Sequence, residues 1–209
     1  MIQNVDILDL KDPEKGSIGS WVKNDILSVV KKFKNKIRIS ATVGDIFSNE
    51  CLIKKLGEFD DLALDYIKFG YFSNNITALK ELLRKIKLRR FKTQLVFVIF
   101  VDEPKVLKFV EKNLDLLEEN KLNFLLLDTY MKNESNLTTF CQIEYLELFI
   151  KKCSERNIKV GLAGRLCLEH MIKIKPLNPH VIGFRSAICK DTNRNIICEK
   201  KLTYLVKNF

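Results

Sequence analysis

Two lysines and several aspartates in this chain have types and spacings that suit carbonyl chemistry. The run Asp6-Ile-Leu-Asp9-Leu-Lys11 places Asp9 and Lys11 two residues apart, which puts both on one face of a strand. A second run, Asp65-Tyr-Ile-Lys68-Phe-Gly70, holds a lone lysine between apolar neighbours. Desolvation and a nearby like charge both oppose protonation of a lysine. A neutral amine is what a Schiff base needs. Lys11 and Lys68 together therefore suggest one lysine as nucleophile and one as proton acceptor, with Asp9 and Asp128 as acids or orienters. The competing reading is structural: Lys68 simply ion-paired with Asp9 or Asp128.

Further charges fall where other apolar runs end: Asp45 after Gly44, Asp102, Asp128 before Thr129, and Arg185 before Ser186. A charge inside a covered sheet is costly unless paired or functional, so a set of them at one end reads as a mouth. Gly161-Leu-Ala-Gly164 and Gly183-Phe-Arg185-Ser186 suggest a phosphate grip. In it Gly164 lets backbone amides approach and Arg185 offers a fork of donors. The alternative is close packing at the glycine and a surface arginine. His170 and His180 read as partly exposed and non-catalytic, and Cys167 and Cys189 as small core residues near the mouth.

The elements that must position these groups alternate. Strands are expected at Asp6–Lys11, Ile37–Val43, Tyr66–Phe72, Gln94–Val101, Phe124–Asp128, Lys159–Ala163 and Val181–Arg185. Helical periodicity marks Trp21–Phe33, Ile76–Leu88, Pro104–Leu117, Tyr145–Arg156, Arg165–Lys175 and Glu199–Val206. It is weaker over Cys51–Leu64, where Leu52, Ile53, Leu56 and Phe59 share a side. Strand–helix alternation at this spacing implies right-handed crossovers and a parallel sheet in a single domain. An open nucleotide-binding sheet would carry a glycine-rich first turn. Gly16-Ser-Ile-Gly19 has the wrong spacing for one. A TIM-barrel-like (β/α) barrel, with polar residues at the C-terminal ends of its strands, fits instead.

Composition narrows the partners. The 209 residues carry 36 basic and 26 acidic side chains, a net charge of +10. The excess is lysine on helical stretches such as Lys80 to Lys92, without the arginine clusters or aromatic platforms of nucleic-acid readers. Nucleic acid is therefore not expected as a partner, whereas a small phosphorylated substrate would be steered in by such a field. The longest apolar run, Leu95 to Val101, is far short of a membrane span. Met1–Asp6 has no secretion-signal pattern. Six cysteines stand singly, which reads as reduced thiols in a cytoplasmic protein.

Taken in order, these motifs resemble a known family. They are Asp6-Ile-Leu-Asp9-Leu-Lys11-Asp-Pro-Glu-Lys-Gly16-Ser-Ile-Gly19, Ser40-Ala-Thr-Val-Gly44-Asp45, Asp65-Tyr-Ile-Lys68-Phe-Gly70, Leu127-Asp128-Thr129 with Lys132, Leu162-Ala-Gly164, and Gly183-Phe-Arg185-Ser-Ala-Ile-Cys189-Lys. From Asp6 to about Asn195 the chain is similar to the (5-formylfuran-3-yl)methyl phosphate synthases of methanofuran biosynthesis. The resemblance implies a TIM-barrel lyase that condenses two molecules of glyceraldehyde 3-phosphate, losing phosphate and water, with no cofactor or metal. It implies Lys11 as the Schiff-base lysine and Lys68 as the proton acceptor, with Asp9, Asp128 and Lys132 in support. Gly164, Arg185 and Ser186 are the expected phosphate ligands, and a homo-oligomer is expected. Another class I aldolase-type enzyme on triose phosphates, or a phosphate-binding barrel without catalysis, would fit the same residues. Asp12, Arg165 and Ser186 depart from the family pattern beside these loops. Family members have a strand and helix before the Asp-x-Lys strand, whereas this chain starts almost at it. The expectation is seven strands and a barrel lacking its first β/α unit.

Overall fold

The computed structural model describes residues 5–131, 135–190 and 196–208. Strand and helix alternate along the chain: β1 (Ile7–Leu10), α1 (Lys23–Phe33), β2 (Arg38–Thr42), α2 (Asn49–Asp60), β3 (Tyr66–Gly70), α3 (Ile76–Arg89) and β4 (Gln94–Phe100). Then follow α4 (Pro104–Lys112), α5 (Leu114–Glu119), β5 (Phe124–Asp128), α6 (Leu137–Phe140), α7 (Ile143–Ser154), β6 (Lys159–Leu162), α8 (Leu168–Ile174), β7 (Val181–Ile182) and α9 (Glu199–Lys207). The seven strands form one parallel sheet in sequence order. Among the described residues no helix is long and apolar enough to cross a membrane.

Local chemistry explains where the elements start and stop. On α3 the Asn75 side chain accepts from the backbone of Thr77 (2.8 Å) and Ala78 (3.1 Å), closing donors that the first turn leaves open. Its apolar stripe, Leu79, Leu82, Leu83 and Ile86, is buried, and Arg90 ends it in the left-handed region at φ 52°. The weakly patterned segment after Gly44 is a full helix, α2, burying Leu52, Leu56 and Phe59. The long helix expected from Pro104 to Leu117 instead breaks at Asn113, whose side-chain amide donates to the Phe109 carbonyl at 2.7 Å. That bond competes with the helical ladder. Helix α8 starts at Leu168 rather than Arg165, because Arg165 has φ 51° and Cys167 is extended. The last strand is only Val181–Ile182.

The two faces of the sheet hold different cores. Between sheet and helices lies a large apolar layer that includes Ile39, Ile67, Phe69, Phe97, Leu125, Leu127 and Leu162. The other face gathers Val96, Val98, Phe100, Phe124, Leu126 and Ala163, with Ile18 plugged in from the loop after β1. The sheet is strongly curled. Strands β1 and β5 are four steps apart, about 19 Å in a flat sheet, yet Lys11 Nζ lies 3.4 Å from Asp128 Oδ2. The outer strands also approach one another, since the Arg185 guanidinium donates to the Lys11 carbonyl at 3.2 Å. The concave face is thus the inside of a barrel. Strands β1 and β7 are its two edges.

Candidate active site

Residues two apart on each strand share a face, so Asp9, Ser40, Lys68 and Asp128 all belong to the concave side. The register aligns Asp9 with Ser40 and Thr42 with Lys68. Lys68 ion-pairs with Asp9, and the Ser40 hydroxyl donates to the other oxygen of the same carboxylate. Lys11 pairs with Asp128, whose other oxygen accepts the Thr129 amide at 2.8 Å. Both ammonium groups are half-buried, with side-chain exposures of 24% for Lys11 and 14% for Lys68. Each lysine is held by its own carboxylate at the C-terminal end of the strands. Nucleophile and proton shuttle can both be drawn from such a pair of pairs.

The other acids of the mouth do different work. Asp45 accepts from the Ser17 amide (3.1 Å), the Ser17 hydroxyl (2.9 Å) and the Ile18 amide (3.2 Å). The buried Thr42 hydroxyl donates to the Gly19 carbonyl at 2.7 Å. Together they pin the loop after β1 over the barrel and seat Ile18 inside it. A side chain at Gly16, where φ is +106°, would run into the Asp45 carboxylate. Asp102 in the same way accepts from the amides of Tyr130 (2.8 Å) and Met131 (2.6 Å), fixing the loop after β5. Burial, with the nearby carboxylates of Asp45, Glu103 and Asp102, pushes the Tyr130 phenol above its usual range. Asp12, bound by the Glu14 amide and by Lys15, is held below the usual carboxylate range.

The loops after β6 and β7 complete the rim. Gly164 has φ +104°, and a Cβ there would sit 3.0 Å from Thr129 Cγ2 and 3.2 Å from its amide nitrogen. Its glycine therefore lets the β5 and β6 loops touch. Arg185 reaches the backbone of Lys11, so it lies beside the first lysine. Next to it, Ser186 Oγ is buried without a hydrogen-bond partner among the described residues, an orphaned donor facing no protein acceptor. Lys132 lies outside the described residues.

The 4-HFC-P synthase family profile matches residues 1–206. The chain belongs to that family. Relatives named (5-formylfuran-3-yl)methyl phosphate synthase include those of Methanopyrus kandleri, 26% identical over 90% of this chain and 83% of the relative, and Archaeoglobus fulgidus, 27% identical over 97% and 89%. Among solved structures, phosphoribosyl anthranilate isomerase from Thermococcus kodakaraensis superposes with a TM-score of 0.64 at 12% identity, covering 100% of this chain and 92% of the other. The Thermus thermophilus isomerase gives 0.62 at 13%, covering 97% and 86%. At such identities the likeness speaks to the fold alone, an α/β barrel.

In this 4-HFC-P synthase family member, the structure brings together Asp9, Lys11, Lys68, Asp128 and Arg185. It also reveals two groups that spacing alone did not single out. Ser40 touches the Asp9 carboxylate and Thr42 fixes the first loop. A signal was available, because both are polar residues recurring at every second position of an otherwise apolar strand.

Proposed function

We propose that the protein is a (5-formylfuran-3-yl)methyl phosphate synthase that joins two glyceraldehyde 3-phosphate molecules through a Schiff base on Lys11. Family membership supports the product. The Lys11–Asp128 ion pair beside the Lys68–Asp9 pair is the observation that carries the mechanism.

In this scheme Asp128 takes a proton from Lys11, and the free amine adds to one triose carbonyl. Asp128 returns the proton as water leaves, giving an iminium that acidifies the adjacent carbon. Lys68 removes that proton after passing its own to Asp9, and the resulting enamine attacks the second aldehyde. Release of the Lys11 amine from the former carbonyl carbon, with loss of phosphate and water, then aromatises the ring and frees the product, with Asp9 and Asp128 moving the protons. Gly164, Arg185 and Ser186 are assigned to the substrate phosphate, where the unpartnered Ser186 hydroxyl supports the placement. Lys132 is assigned a supporting role by the family resemblance alone.

The test is to incubate the protein with glyceraldehyde 3-phosphate and borohydride and to map adducts by mass spectrometry. A reduced adduct on Lys11, absent from Lys11→Ala, is expected, and no adduct on any lysine sinks the mechanism. Ultraviolet absorbance of a conjugated furan aldehyde, followed in parallel, separates the synthase from a simple aldolase.

A further inference from the structure

Three residues beyond Gly164, the chain closes a second and smaller constellation. Cys167 Sγ lies 2.9 Å from His170 Nδ1, and the Cys167 amide donates to the same ring nitrogen at 3.1 Å. In return the Cys167 side chain accepts the His170 amide. Because Nδ1 accepts a backbone N–H, it carries no proton of its own. The hydrogen between sulfur and ring is therefore the thiol's. A thiol aimed at an unprotonated imidazole nitrogen, with an amide ready to bond the sulfur once ionised, is the arrangement that makes a cysteine nucleophilic. His170 also borders a cavity of about 640 Å³ with Glu144, Glu169, Lys173 and Thr138, and Cys167 itself is partly exposed, so a small reagent can reach the thiol.

We propose that Cys167 is an oxidation site for peroxides, with His170 as its base, at the root of the Gly164 loop. The thiol proton passes to His170 Nδ1, and the thiolate attacks one peroxide oxygen. The S–O bond forms as the O–O bond breaks, so sulfur is oxidised by two electrons and the peroxide is reduced. The leaving hydroxide takes the proton from the imidazolium and departs as water. The product is a sulfenic acid. Its added oxygen sits within the reciprocal Cys167–His170 bonds that cap the start of α8, three residues past Gly164, and oxidation loosens that cap and the loop that leads into it. The effect on substrate rests on the proposed synthase reading; the oxidation itself does not.

The experiment treats the full chain with hydrogen peroxide and dimedone, and follows each cysteine by mass spectrometry at short times. Cys51, exposed on α2, is the internal reference. Cys167 is expected to label about tenfold faster than Cys51. His170→Gln keeps a side-chain acceptor at the third helical position, as in an ordinary capping box, but removes the base. It is expected to erase most of that advantage while leaving the thermal midpoint near that of the unchanged chain. Labelling of Cys167 no faster than Cys51 overturns the proposal without needing any variant, as does an unchanged rate in a folded His170→Gln protein. A loss of triose trapping on Lys11 that parallels Cys167 labelling supports the coupling to the Gly164 loop. Full labelling with trapping intact overturns that coupling.

Discussion

The odd-numbered and even-numbered strands end in different chemistry. β1, β3 and β5 deliver Asp9, Lys11, Lys68 and Asp128, which pair with one another across the barrel, and the turn after β7 delivers Arg185. After β2 and β4 come Asp45 and Asp102, of the same residue type as Asp9 and Asp128, yet both are spent on backbone amides of neighbouring loops. After β6 comes Gly164, which contributes contact with Thr129 rather than charge. In a barrel, the inward side chains of one layer come from alternate strands. One set can therefore face the centre of the mouth while the other sits between loops. A carboxylate's role here follows from which set its strand belongs to.

The largest predicted effect lies on the odd set. Lys11→Ala is expected to lower kcat by about 10⁴-fold or more and to abolish borohydride trapping. Lys68→Met, removing the proton acceptor, is expected to cost about 10²–10⁴-fold while the Lys11 adduct still forms. Steady-state rates and adduct mapping read both. If Lys68→Met loses the adduct as well, the two lysines do not have separate jobs.

On the even set, Asp102→Ala strips two amides of a charged acceptor. It is expected to cost about 2–3 kcal/mol of stability, or roughly 5–10 °C in a chain of this size, with trapping at Lys11 retained in the cold. Denaturant melts and adduct yield measure the two sides. Lost trapping without lost stability would place chemistry on an even strand and break the comparison.

Much of the odd set was legible in the sequence, because a charge at period two inside an apolar strand has few explanations. The lysine partners were legible too, as Asp9 and Asp128. The division of labour among the acids was not. Asp45 and Asp102 stand at strand ends like the others, and what separates them are amides 28 residues away in each case. Those amides come into reach only once the sheet has curled. Strand positions were likewise readable from apolar runs, whereas the break at Asn113 depends on one side chain reaching one carbonyl. The shortness of β7 was missed for a related reason, since apolar residues continue past Ile182 while the backbone turns at Arg185.

A smaller effect tests how far the even strands support the odd ones. Ser40, on β2, is buried and its hydroxyl donates to the Asp9 carboxylate that also holds Lys68. Ser40→Ala leaves that carboxylate with the lysine alone. The expected cost is about 1 kcal/mol, appearing as a several-fold fall in kcat/KM at nearly unchanged Lys11 trapping. A fall confined to stability would make Ser40 part of the wall and not of the site.

At the opposite end of the barrel the pattern inverts, and the even strands bring the cations. Arg38 opens β2 and Lys159 opens β6, both on the concave parity, with His180 edge-on to Phe124 at 5.2 Å. Burial, and then the charges of Lys159 and Arg38, push the His180 pKa below its ordinary value of 6.5. A folded-state pKa lower than the unfolded one means that the unfolded chain binds the proton more readily. Stability from this group is therefore complete above about pH 6.5 and is lost as pH falls past the lower folded value. His180 is exposed, so the loss is small. His180→Gln is expected to flatten the decline of the thermal midpoint between about pH 7 and 5 relative to the unchanged chain, without altering trapping at Lys11. Identical pH slopes in the two proteins would mean that the cations at this end do not act on the ring. The contrast between the two ends would then rest on the mouth alone.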